Sequence, residues 1–307
     1  MAPASAVVHK AVARRDLLAI LGAAARVATA SAAFAQAPPI ASAGEPPRKS
    51  AVALERLPGG VLLIGIDRPE AQNRIDVPTF MALGQAYYQL EHDDDLRVAV
   101  LHGRGADFSQ GLDLPSWGAA LAHGPLKTPA DFLDPLGTSG ADRSKPLLVA
   151  VQGRVTRIAH ELFLAADVRV AAQDAVFNQG EVTAAAFPGG GATIRFVREA
   201  GWGNAMRYML TGEDWRADEA RRMGLVQELT APGQQLDRAS DMAKRIAAAA
   251  PLGVRAVLAS AHRSLSDGEK AALAALQPEF GRLMRSEDRQ EFIRALHENR
   301  APVYLGR

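Results

Sequence analysis

From residue 51 onward, short apolar runs alternate with stretches of helical periodicity, and that alternation restricts the chain to layered α/β architectures. Residues 61–66 (Val-Leu-Leu-Ile-Gly-Ile) follow a Pro-Gly-Gly turn and read as a strand. Residues 79–91 place Phe80, Leu83, Tyr87 and Leu90 at helical spacing. Residues 98–103 and 147–151 read as buried strands, the second opened by Lys145-Pro146. Residues 159–166 read as a helix and 168–171 as a further short strand. Such an order implies a largely parallel sheet covered by helices. Between Leu114 and Lys145, Pro and Gly are frequent, and a long loop is expected. From about Ala217 the signals are almost all helical, with amphipathic stretches at 236–250 and 269–285.

Charge adds little to this picture. The 307 residues carry 35 basic and 34 acidic side chains, which supplies no electrostatic reason for a nucleic-acid partner. The chain has no cysteine, so disulfides, thiolate nucleophiles and Cys-type zinc sites are excluded. The first fifty residues differ from the rest. Arg14-Arg15 precede a mildly apolar, Ala-rich run that ends in small residues and Pro38-Pro39. This pattern is similar to a twin-arginine export signal and implies a periplasmic protein. A disordered extension, or a start codon placed too early, is the alternative and leaves the protein in the cytoplasm. The apolar run is too short and too broken to stay in a membrane as a span.

The motifs become specific when taken in order. Arg68-Pro69-Glu70-Ala71-Gln72-Asn73 comes first, followed by the segment from Gly103 to Leu114 that contains Ser109-Gln110-Gly111-Leu112-Asp113. Lys145-Pro146 opens an apolar strand that ends in Val151-Gln152-Gly153. Then come Glu161-Leu162 with Ala166-Asp167-Val168-Arg169, and Phe177 to Glu181 with Pro188-Gly189-Gly190-Gly191. Leu210-Thr211-Gly212-Glu213, residues 217–226 and the segment from Ser286 to Arg307 complete the series. Over roughly residues 52–307 this succession resembles the crotonase (enoyl-CoA hydratase/isomerase) superfamily. The resemblance implies an α/β fold: a crotonase-like ββα spiral core over residues 51–215 and a helical C-terminal region over 216–307. It also implies a homotrimer, or trimers paired as a hexamer.

What the resemblance implies for the site can be stated residue by residue. Members stabilise an enolate-like anion of an acyl thioester with two backbone N–H groups. By position these are the N–H of Leu112, after Gly111, and that of Ile158. Hydratases usually carry a Gly-Gly pair where this chain reads Thr156-Arg157-Ile158-Ala159. Ile158 is β-branched and is expected to resist a positive φ there. Glu161 and Glu181, twenty positions apart, are jointly the expected acid/base pair, because two close carboxylates push their pKa values apart. Gln72, Asn73, Gly111 and Asp113 are expected around the substrate. His160 neighbours Glu161 on a helix and so cannot face the same point squarely; it reads as a packing or surface residue, with a second catalytic role as the alternative. Arg157 either meets an anionic substrate or caps local structure. No residue cluster has metal-ligand spacing, and no cofactor is expected beyond coenzyme A as part of the substrate.

Three functions remain open at this level. The first is hydration or isomerisation of an acyl-CoA, most directly the addition of water to a 2-enoyl thioester. The second is CoA-independent hydrolysis of a C–C bond in a cyclic diketone, a carbonyl substrate that suits an exported protein. The third is a non-catalytic protein on the same frame, since fold alone does not establish activity.

Overall fold

The computed structural model describes residues 51–122, 124 and 126–307. The export signal expected in residues 1–50 lies outside the described residues. Residues 114–127 belong to one compact unit, and residues 51–113 with 128–307 to a second.

The second unit opens with a hairpin. Strand β1 (Val52–Leu57) turns through Gly59 and Gly60, both at positive φ, into β2 (Val61–Ile66), its antiparallel neighbour. Helix α1 (Val77–His92) begins two residues before the apolar periodicity does. Asp76 caps it by accepting the Thr79 N–H at 2.8 Å, and Pro78 sits in the first turn, where its missing N–H has no consequence. Phe80, Leu83, Tyr87 and Leu90 are buried as their spacing requires. Strand β3 (Val98–Gly103) follows. In the first unit, α2 (Leu114–Leu121) is a helix where a loop was expected. Its Pro115 lies in the first turn, which a helix tolerates, so proline marks a helix start there and not a break.

The second unit resumes with β4 (Leu147–Val151), β5 (Arg154–Thr156), α3 (Ile158–Leu164), β6 (Val168–Ala172) and β7 (Val176–Asn178). A 3-10 turn spans Glu181–Ala184. Then come α4 (Ala192–Ala200), α5 (Trp202–Thr211), β8 (Trp215–Arg216), α6 (Ala217–Arg222) and β9 (Glu228–Thr230). Four helices close the chain: α7 (Gln235–Ala247), α8 (Pro251–Ser266), α9 (Glu269–Met284) and α10 (Glu287–His297).

Six strands form the main sheet in the order β1-β2-β3-β4-β6-β9, parallel from β2 onward. Alternate residues of its strands (Val61, Leu63, Val98, Val100, Leu148, Ala150, Val170) pack against α7 through Ala239, Ala243 and Ala247. Small side chains at every fourth position let the helix approach the sheet closely. The three-residue strand β9 joins this sheet from a region whose sequence reads as helical, because so short a strand carries no alternation. A second sheet, β5-β7-β8, carries the segments that bear the candidate site. No described helix is long and apolar enough to cross a membrane.

Candidate active site

Two segments, one following β3 and one formed by β5 and its exit, run side by side. Ser109 bridges Val155 in parallel, with Ser109 N–H to Arg154 O at 3.0 Å and Thr156 N–H to Ser109 O at 3.1 Å. Leu112 and Ile158 each lie three residues beyond that bridge, so the pairing brings the two expected backbone donors to equivalent positions on neighbouring segments. On its far side the first segment is tied to Ile75, whose N–H donates to Gly111 O at 2.8 Å and whose O accepts Asp113 N–H at 3.0 Å. In that parallel bridge the Leu112 N–H faces away from Ile75. Among the described residues, neither the Leu112 nor the Ile158 N–H meets an acceptor. Gly111 has φ 93°, and a Cβ there would sit 3.1 Å from Thr156 O, so glycine is needed for both conformation and space.

The expectation for Ile158 is corrected. Ile158 is the first residue of α3 and adopts a helical backbone, with its side chain buried. The positive φ falls one residue earlier, on Arg157, at φ 57° and ψ −115°. A non-glycine residue in so sparsely populated a region costs on the order of 1–3 kcal/mol. Two bonds hold the distortion: Arg157 N–H donates to Asn178 O at 2.8 Å, and Arg157 O accepts Glu161 N–H at 3.0 Å.

Glu161 and Glu181 are both buried. Glu161, on the first full turn of α3, is held from the far side of the site. Its Oε1 accepts the N–H groups of Gly190 at 2.7 Å and Ala192 at 3.2 Å, where the chain enters α4. Its Oε2 has no hydrogen-bond partner among the described residues. Burial pushes its carboxyl up to about 7, and the negative charge of Glu181 adds to the rise, against the two backbone bonds and the Arg195 guanidinium. Glu181 opens the 3-10 turn. Its Oε1 accepts from Gln179 Nε2 at 2.8 Å, while its buried Oε2 has no partner among the described residues. Burial raises its pKa too, opposed by hydrogen bonds and by the charge of Arg157. Each carboxylate is thus braced through one oxygen and leaves the other open.

Gln179 has no expectation attached to it from sequence, yet it links two residues that do. Its Oε1 lies 2.5 Å from His160 Nδ1, so His160 donates to the amide while the amide donates to Glu181. The imidazole is fully buried among Phe163, Phe177, Phe196 and Trp215, with ring centroids 5.1–6.0 Å away. Desolvation in that aromatic cage drives its pKa down to about 3, so the ring stays neutral near pH 7. The packing reading of His160 describes its surroundings, and its hydrogen bond orients the amide beside Glu181.

The remaining expected residues separate. Asn73 is corrected: its side chain is wholly buried and its amide is consumed. Nδ2 donates to Arg104 O at 2.7 Å and Asp107 O at 2.8 Å, and Oδ1 accepts Arg68 N–H at 2.8 Å, so the Asn73 amide braces loops at both of its ends. Gln72, exposed at φ 56°, accepts Gln110 N–H at its carbonyl at 3.1 Å. Asp113 meets Arg68 at 3.6 Å, and Arg68 also reaches Asp76 at 2.9 Å, which ties the Leu112 loop to the cap of α1.

The family model for enoyl-CoA hydratase/isomerase matches residues 56–307. An enoyl-CoA hydratase of Mycobacterium tuberculosis is 32% identical over 261 residues, covering 81% of this chain and 94% of its own. A carnitinyl-CoA dehydratase of Salmonella typhi is 32% identical over 258 residues, covering 81% and 96%. A solved Mycobacterium abscessus structure carrying the enoyl-CoA hydratase/isomerase name superposes with a TM-score of 0.80 at 43% identity, over 84% of this chain and 99% of its own.

Proposed function

The chain belongs to the enoyl-CoA hydratase/isomerase family, the crotonase superfamily, and from that premise we propose that it adds water to a 2-enoyl-CoA through an enolate-like intermediate. The observation that carries this reading is the pair of buried glutamates, each braced through one oxygen with the other open. Between the two open oxygens one water molecule can be held, accepting a hydrogen bond from the protonated carboxyl and donating one to the ionised carboxylate.

In the proposed reaction the Leu112 and Ile158 N–H groups donate to the thioester oxygen. The conjugated double bond is thereby polarised toward that oxygen, and C3 becomes electrophilic. The glutamate pair, both of whose pKa values are raised, shares a proton near neutral pH. One carboxylate accepts a proton from water as its oxygen bonds to C3. The enolate that forms is held by the two N–H donors, and the pair returns a proton to C2. Donors fixed before the reaction need no reorganisation when charge develops, which makes such contributions large. The same carboxylates can move a proton between C2 and C4, so a double-bond shift uses the same machinery. Coenzyme A enters only as part of the substrate.

The deciding experiment is loss of enoyl absorbance with crotonyl-CoA. Glu161→Gln and Glu181→Gln are each expected to lower kcat by about 10²–10⁴-fold while the protein stays folded by circular dichroism. Unchanged rates in both variants would exclude the pair from the chemistry.

A further inference from the structure

Arg157 is expensive to hold, and among the described residues no acceptor meets its guanidinium. Its backbone takes a conformation suited to glycine, yet a long cationic side chain stands there. The residue is only partly exposed. Its Nε is shut away from water and donates to nothing, and among the described residues its guanidinium forms no hydrogen bond or ion pair. Arg143, Arg169 and Arg195, also buried or half-buried, are matched: Arg143 meets Asp167, Arg169 meets Glu199, and Arg195 donates to the carbonyls of Gly190 and Gly137. Half-buried Arg255 has no partner among the described residues, but Arg157 alone of these has a guanidinium nitrogen that is both buried and unmet. A buried donor without an acceptor is destabilising. Strain and an unmet donor in one residue, immediately before the Ile158 N–H, point to an acceptor that arrives with the substrate.

We infer that Arg157 is a specificity residue, and that it selects enoyl thioesters whose acyl chain carries a second anionic group, a carboxylate. This rests on the hydration reading for the identity of the thioester. The planar guanidinium matches a carboxylate bidentately. Its place in the chain puts it at the reacting end: it precedes the Ile158 donor, and its charge acts on Glu181. The phosphates of coenzyme A are anions as well, but the pantetheine arm separates them from the thioester. The acyl chain is therefore the source this position fits.

The test compares kcat/KM for glutaconyl-CoA and crotonyl-CoA, and for the matching pantetheine thioesters, which lack the nucleotide phosphates. Wild type is expected to favour the carboxylated substrate by about 10–100-fold, the range for a hydrogen bond to a charged group. The preference should persist with pantetheine thioesters, fall away in Arg157→Gln and survive in part in Arg157→Lys. Arg157→Gly should lose the preference and melt higher, by roughly 2–6 °C, because the strain is relieved. Equal kcat/KM for both acyl groups in wild type, or a preference that outlives Arg157→Gln, overturns the inference. So does a substitution effect that vanishes with pantetheine thioesters, which would assign Arg157 to a phosphate. Calorimetric binding of glutaryl-CoA against butyryl-CoA reads the same preference without turnover. A silent enzyme that still prefers glutaryl-CoA overturns hydration and supports Arg157; an active enzyme with no preference does the reverse.

Discussion

Two residues next to each other on α3 carry opposite electrostatic burdens. Glu161 is a buried carboxyl raised from 4.5 to about 7. Its folded value lies above its unfolded one, so its contribution to stability is complete below pH 4.5 and is lost as the pH rises through about 7. The loss amounts to roughly 3 kcal/mol at most. Glu161→Gln removes that ionisation, so thermal melts should show the variant gaining on wild type between pH 5 and pH 8. His160 is held neutral in its cage and acts on Glu181 only through Gln179. Removing the Gln179 donor by Gln179→Leu takes away a bond that favours the Glu181 carboxylate. Glu181 should then titrate still higher, moving the acid limb of the kcat/KM profile to higher pH. His160→Phe fills the cage but frees the amide to turn, and should shift the limb the same way. If the effect runs through Gln179, the double variant will show no more shift than Gln179→Leu alone.

At the scale of elements, the turn into α4 matters as much as the helix that bears Glu161. The Gly190 N–H holds Oε1, and a Cβ at Gly190 would stand 2.6 Å from Glu161 Oε2 and 2.8 Å from its Cδ. Gly190→Ala therefore has to push the carboxyl aside. Its backbone can accept alanine, since φ there is not positive. The expected result is a folded protein whose kcat falls by at least about tenfold, as misplacement of a reacting group predicts. Circular dichroism and steady-state rates check both halves. The β4–β5 turn works similarly: Gly153 at φ 54° leaves 2.2 Å between its would-be Cβ and Ala106 O, which fixes how closely the two segments approach. The Pro188-Gly189-Gly190-Gly191 motif was visible as a turn in the sequence. That it supplies the brace for Glu161 was not, because nothing local to residues 188–191 refers to residue 161.

For the whole molecule, the C-terminal helices leave large apolar side chains in water. Val257, Leu265, Leu273, Phe280 and Leu296 are each more than half exposed. Exposed apolar groups on neighbouring helices mark an interaction surface. We propose that they meet further copies of this chain in a trimer, as the family resemblance implies. Light scattering should give a trimeric or hexameric mass, reduced to the monomer by Leu273→Asp with Phe280→Asp. The last residues are tied back onto the same helices. Asp288 accepts the N–H groups of Leu305 at 2.7 Å and Gly306 at 3.0 Å, and Arg97 reaches Tyr304 O at 2.6 Å. Asp288→Ala leaves those donors unmet and should cost about 1–3 kcal/mol in chemical denaturation.

The sequence by itself determined the α/β frame, the family and the two glutamates. Each of these is written in one dimension, as apolar runs of fixed period or as motifs in a fixed order. It also marked Arg157 and Ile158 as a departure, but it assigned the positive φ to the wrong residue of the two. Tertiary structure alone decided which of them bears it, because the turn is shaped by the bond from Arg157 N–H to Asn178 O, across twenty-one residues of chain. It decided that Asn73 is spent on loop carbonyls, and that His160 speaks to Glu181 through Gln179. It also brought Leu112 and Ile158 into register through the Ser109–Val155 bridge. These are pairings between distant segments, made when strands and loops close on one another. A hydrogen-bond partner far along the chain leaves no periodicity and no local motif from which it could be read.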